Sequence, residues 1–326
     1  MFSKEEGFKK KFGDKKKEMS PEESSGGVTF FLLVGSVGIA LLFHLSSFLP
    51  NWWQEVTTPR VFESERGELS ESSVDLEVTP TPWQKDLEES LRSLVKEKEG
   101  LYGVYLYQID TSQSIGINHQ EEFPAASLMK LPVVVSLYQE AERRRLDLAT
   151  EYRLRQEDKL SGNGSIHLQP EGTVYTYRSL AKLAIEQSDN TAVNVIAKTL
   201  GENKIQTTIN SLNLSRTNYS LRQTSPEDMG KLLLSLYQKE TLTSANSREI
   251  IGYLSQTIFN DQIPAALPEN VVIAHKIGLD EGILHDAAIV FTDQGDFVLV
   301  IMSKEALREQ AQATLEEITR MVWEAI

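Results

Sequence analysis

Leu87, Leu91 and Leu94 share one face of a helix predicted over Trp83 to Glu99, after which the apolar period shortens from helical to alternating. Gly103 to Ile109 and Ser114 to Asn118 read as a strand pair around a turn at Asp110-Thr-Ser-Gln. Residues 127 to about 258 read almost wholly as helices. Strand character returns at Val271 to Ala274, Ala287 to Thr292 and Phe297 to Ser303, with Asp293-Gln-Gly-Asp as the hairpin turn between the last two. An amphipathic helix over Leu307 to Ile326 closes the chain. Helix, strands, helices, strands, helix is the order of an α+β domain whose sheet is completed by both ends, with a helical lobe inserted between them.

The pattern before residue 83 is of another kind. Residues 1–27 are polar and carry two lysine triplets, Lys9 to Lys11 and Lys15 to Lys17, which predicts a disordered cytoplasmic tail. Val28 to Leu49 holds no Asp, Glu, Lys or Arg over 22 residues. As a helix this stretch would span about 33 Å, enough to cross a bilayer core. Trp52 and Trp53 follow as interface residues, and the preceding lysines orient the N-terminus inward. The expectation is a single-pass signal anchor over residues 28–49, a cell-membrane location and an extracytoplasmic domain; a cleaved signal peptide is the competing reading. Residues 50–82 are rich in Glu, Ser, Thr and Pro, with seven acidic against two basic residues between Gln54 and Thr79, which makes them a solvated linker. The folded domain is expected over 83–326.

Composition narrows the chemistry. A net charge of −14 argues against a nucleic-acid partner. The absence of cysteine removes disulfides, thiol nucleophiles and thiolate metal sites, and the five histidines show no paired ligand spacing. No cofactor or metal is expected.

Three stretches carry candidate chemistry. Ser-x-x-Lys occurs at Ser93, Ser127 and Ser179, but only Ser127-Leu-Met-Lys130 sits in an apolar run, Leu128 to Val135, that buries its lysine. Serine and lysine one turn apart share a helix face, and burial lowers an amine's pKa enough for it to act as a base. The helix start also offers N–H groups to an oxyanion. Ser188-Asp189-Asn190 lies at the joint between helices predicted over Tyr177 to Gln187 and Thr191 to Leu200. There Asp189 or Asn190 could serve as a helix cap while Ser188 points into a cleft. His275-Lys276-Ile277-Gly278 follows a β-rich run, where a strand-end lysine beside Gly278 would let a ligand backbone approach a cation.

Taken together, S-x-x-K, S-D-N and a Lys-x-Gly motif in this order resemble the class A β-lactamase and penicillin-binding-protein signature. The resemblance covers residues from Trp83 to the C-terminus. It extends to Phe123-Pro-Ala-Ala-Ser-Leu-Met-Lys, Gln187-Ser-Asp-Asn-Thr-Ala-Val-Asn, Thr224-Ser-Pro-Glu-Asp-Met and His285-Asp-Ala-Ala-Ile-Val. It implies a five-stranded antiparallel sheet with helices on both faces and an active site at its junction with the helical lobe. It further implies Ser127 as the acylated nucleophile, Lys130 as its base or proton relay, Ser188 as proton shuttle, Asn190 as a contact to Lys130 or the substrate amide, and Lys276 as support for Ser188 and the substrate carboxylate. The oxyanion hole would be formed by the N–H groups of Ser127 and Leu279.

Two positions depart from the family pattern. The stretch between Asn213 and Thr224 is short and holds no acid where the family has a water-activating glutamate, and Ile277 stands where the family has Thr or Ser. The first predicts slow deacylation, and the second, with acidic Asp280 and Glu281 nearby, weakens binding of a substrate carboxylate. The reading is therefore a membrane-anchored serine hydrolase acting on an amide in a β-lactam or cell-wall peptide. The alternative is a non-catalytic cell-wall or protein-binding module on the same fold.

Overall fold

The computed structural model describes residues 81–326. The expected cytoplasmic tail, the membrane span at 28–49 and nearly all of the linker lie outside the described residues. Among the described residues no helix is long and apolar enough to cross a membrane. The first helix, α1 (Pro82–Lys96), begins one residue before the predicted boundary. Proline suits the first helical turn, and Thr81 and Gln84 close a capping box, with Thr81 N donating to Gln84 Oε1 at 2.7 Å.

Five strands form one antiparallel sheet in the order β2 (Gln113–Ile117), β1 (Leu101–Gln108), β9 (Phe297–Lys304), β8 (Ile283–Phe291), β7 (Val272–Asp280). Strands β8 and β9 are buried on both faces, so the period-2 geometry divides each apolar run between two cores. Val298, Val300 and Met302 of β9 face the helical lobe, while Phe297, Leu299 and Ile301 face α1 and the C-terminal helix α8 (Arg308–Ala325). This is the two-sided α+β sandwich expected from the resemblance.

The lobe between the sheet's two halves contains α2 (Lys130–Glu142), α3 (Tyr177–Glu186), α4 (Asn190–Leu200), α5 (Glu202–Ser211), α6 (Pro226–Gln238) and α7 (Ser244–Ser255). It is less helical than its sequence pattern suggested. Residues 143–176 are mostly turns, with a small pair β4 (Glu151–Arg153) and β5 (Val174–Thr176). Gly162, Gly164 and Gly172 in this stretch adopt φ of +102°, +96° and +87°, which a continuing right-handed helix does not allow. A second short pair, β3 (Phe123–Pro124) with β6 (Gln223–Thr224), ties the nucleophile segment to the loop that precedes α6.

β7 also differs from expectation. It continues through the third motif to Asp280, so Lys276 lies in mid-strand and not at a strand end. Pairing with β8, itself extended back to Ile283, overrides the weak strand propensity of Lys, Gly and Asp.

Candidate active site

Ser127 lies in a 3₁₀ turn, Ala126–Met129, and the α-helix begins only at Lys130. The delay has a local cause. Ala126 holds φ +45°, a left-handed conformation that costs an alanine roughly 1 kcal/mol and interrupts the entry into α2. The turn still places Ser127 Oγ 2.8 Å from Lys130 Nζ. The other two Ser-x-x-Lys lysines are surface groups, and Lys182 sits 3.8 Å from Glu186.

Lys130 is 5 % exposed and its amine meets four oxygens. They are Ser188 O at 2.7 Å, Asn190 Oδ1 at 2.8 Å, Ser127 Oγ at 2.8 Å and Ser188 Oγ at 3.0 Å. The two carbonyl oxygens can only accept. Asn190 is held in that orientation because its Nδ2 donates to Ser161 O at 3.0 Å. The neutral form of the amine has two N–H bonds for these carbonyls and one lone pair to take a hydroxyl proton, so the same cage accommodates Lys130 acting as a base. Burial lowers its pKa to about 8, against an opposing pull from Asp189.

Ser188 completes the site from φ +52°, fully buried in the joint between α3 and α4. Its Oγ lies between two amines, accepting from Lys276 Nζ at 2.9 Å as well as meeting Lys130. Lys276 also donates to Ile277 O at 3.1 Å, and burial followed by the proximity of Lys130 pushes its pKa well below the usual lysine value. Ile277 is 2 % exposed, and its side chain offers no hydroxyl.

Asp189 is both a helix cap and a tie between segments. Its Oδ1 accepts from Ala192 N at 2.8 Å and its Oδ2 from Ile166 N at 2.9 Å, fastening the 159–166 loop over the site. Gly164 lies so close that an added Cβ would stand 2.1 Å from Asp189 Oδ2. The reading of the sequence missed this loop, although Ser161-Gly-Asn-Gly is a turn signal.

Leu279 pairs with Leu284, whose N–H is directed across β8 to Ser303 Oγ on β9 at 3.2 Å. Partners in such a pair direct their N–H groups apart, so that of Leu279 points out of the sheet's open edge, beside the Ser127 turn. Gly278 requires a different explanation from the one expected. A Cβ there would lie 2.9 Å from the His285 ring and 3.2 Å from Leu128 Cγ, so the space is filled by the protein itself and not kept for a ligand. Gly278→Ala is expected to push against the His285 ring first and Leu128 next, and to lower stability by about 1–3 kcal/mol, read by thermal melting.

The loop between Asn213 and Thr224 is pinned by Asp228, which accepts from Arg216 N and Thr217 Oγ1, both at 2.8 Å. That buried acid serves the loop's shape, and burial raises its pKa. Among the described residues no His, Cys, Asp or Glu cluster could hold a metal ion.

A lysine of lowered pKa on one serine, with a second serine between two amines, is a site for acyl transfer. The profile of the Beta-lactamase enzyme family matches residues 86–326, and the chain belongs to that family as a serine hydrolase of this type. Among named relatives, beta-lactamase ROB-1 of Haemophilus influenzae is 25 % identical over 296 residues, covering 84 % of this chain and 91 % of its own. Beta-lactamase VEB-1 of Pseudomonas aeruginosa is 21 % identical over 262 residues, covering 72 % and 88 %. The structure of PBP-A is similar at a TM-score of 0.70 with 26 % identity, covering 74 % of this chain and 95 % of that one. A mutant of PBP-A has been solved as an acyl-enzyme complex with penicillin G, at the same TM-score and identity.

Proposed function

We propose that this chain is a membrane-anchored, extracytoplasmic acyl-enzyme hydrolase whose Ser127 attacks the amide carbonyl of a β-lactam or a cell-wall peptide. The observation that carries this is the wiring of Lys130 Nζ to both Ser127 and Ser188. Lys130 takes the Ser127 proton as Oγ bonds to the carbonyl carbon. The oxyanion is received by the N–H groups of Ser127 and Leu279. The C–N bond then breaks as Ser188 Oγ gives its proton to the departing nitrogen, and the proton on Lys130 returns to Ser188. Lys276 holds Ser188 Oγ, and a substrate anion beside it would restore its charge, while Asn190 orients Lys130 and can meet the substrate amide.

Water must attack the resulting ester. With no acid between Asn213 and Thr224, nothing in that loop activates it, so the acyl-enzyme is long-lived. The penicillin acyl-enzyme of the PBP-A mutant supports the same intermediate on this fold. Anchoring rests on the uncharged segment 28–49 and the lysines before it.

The test is intact-protein mass spectrometry of the detergent-solubilised full chain after incubation with a panel of β-lactams and activated esters, beside Ser127→Ala. The expected result is an adduct lasting minutes or longer in the native chain and none in the variant. No adduct from any compound would refute the acyl-enzyme, and steady nitrocefin turnover at many cycles per second would refute slow deacylation alone. Release of the chain from membranes by alkaline carbonate would refute the anchor.

A further inference from the structure

His285 is fully buried on β8, on the sheet face that carries the nucleophile turn. Its Nδ1 accepts from Ser303 N at 3.1 Å, a backbone group that can only donate. The ring proton must then sit on Nε2, which donates to Pro124 O at 2.8 Å. Phe123 packs edge-on against the same ring at 6.1 Å between centroids, and Gly278 leaves the room the ring occupies. One imidazole thus joins β7, β8 and β9 to the segment entering the nucleophile turn.

What that segment must hold is the left-handed Ala126, which has no polar side chain to support such a conformation. Strained backbone persists only where its surroundings over-determine it. The residues before Ala126 have three anchors beyond the β3 pairing, of which the bond from Lys304 Nζ to Glu122 O at 2.7 Å is exposed to solvent and lies four residues away from Ala126. Ala125 N donates to Arg222 O at 2.7 Å, a main-chain bond that many residues at 222 could supply. The third is the bond from His285, supplied by one particular side chain.

We propose that His285 is the positioning residue of the acylation site: its Nε2–H bond to Pro124 O holds Ala126 left-handed and thereby keeps Ser127 Oγ on Lys130 Nζ. The inference rests on the reading of Ser127 as nucleophile. Burial lowers the ring's pKa to about 4, so near neutral pH the ring is uncharged and Nδ1 remains free to accept from Ser303 N. His285 accordingly gives the site no cation.

The experiment uses the detergent-solubilised full chain and its His285→Leu and His285→Gln variants. Single-turnover acylation by a fluorescent penicillin is followed for maximal rate constant, half-saturating concentration and labelled fraction. His285→Leu is expected to lose at least tenfold in the rate constant, with the other two quantities unchanged. His285→Gln, which keeps one acceptor and one donor, should recover most of that loss. In ¹⁵N-histidine spectra of the native chain, the ring should be Nε2-protonated and unchanged between pH 8 and 5.5. A Leu variant with a lower labelled fraction or melting temperature but a native rate constant would overturn the proposal in favour of a purely structural role. A neutral ring protonated on Nδ1 and bare at Nε2 would overturn it directly. If no probe acylates the native chain, the reading of Ser127 fails, and unmoved amide resonances of Ala125 to Leu128 in the variants would still refute the clamp.

Discussion

Replacing Lys130 by methionine is expected to slow acylation of Ser127 by about 10²–10⁴-fold, the range for loss of a placed general base. Methionine fills similar space, so the volume is kept and the proton acceptor is lost. Two acceptors, Ser188 O and Asn190 Oδ1, lose their donor, at a cost of about 1–3 kcal/mol each. Removal of a buried amine offsets part of that cost, so activity should fall far more than stability. Single-turnover labelling beside thermal melting distinguishes the two effects, and a native acylation rate in the variant would remove Lys130 from the mechanism.

The native enzyme should show the corresponding pH dependence. Neutral Lys130 is the active form, so acylation should rise with pH through about 8. The same group bears on stability. Its pKa is lower folded than unfolded, so the unfolded chain binds more protons between about pH 8 and the ordinary lysine value near 10.5. The penalty for burying Lys130 is complete below pH 8 and is relieved as pH rises through that window. Asp189 opposes the shift, so Asp189→Asn should move the acylation limb to lower pH.

Asp189→Ala should produce the largest loss of stability from a single polar side chain in the site. Asp189 is fully buried, and its removal leaves Ala192 N and Ile166 N as buried donors without partners. At about 1–3 kcal/mol per group the cost is about 2–6 kcal/mol. For a domain of this size each kcal/mol corresponds to roughly 2–4 °C, so melting should fall by roughly 5–20 °C. A change under about 2 °C would mean that the 159–166 loop is held by something else. The loop carries Ser161 O and Asn163 O, which accept from Asn190, so its release should also disturb Lys130.

Much of the site was legible because its chemistry lies in short, local spacings. A serine and lysine three apart meet wherever the chain turns through them, and this pair does so from a 3₁₀ turn as well as it would from an α-helix. The buried run after Lys130 distinguished it from two surface copies. Less legible were parts whose cause is remote in sequence. The third motif looked like a strand end because Lys, Gly and Asp are poor strand formers, yet pairing with β8 carries the strand through to Asp280. Gly278 looked like room for a ligand, and the room belongs to His285.

The sequence by itself determined the alternation that divides β9 between two cores, the order of the three motifs, the burial of Lys130 and the missing acid before Thr224. Each follows from residue type and near spacing. Only the tertiary structure decided that one amine meets four oxygens, that Asp189 ties two segments together, and which nitrogen of His285 carries the proton. Those facts depend on groups 18 to 161 residues apart being brought within hydrogen-bond range, and such distances are set by packing and pairing and not by local propensity.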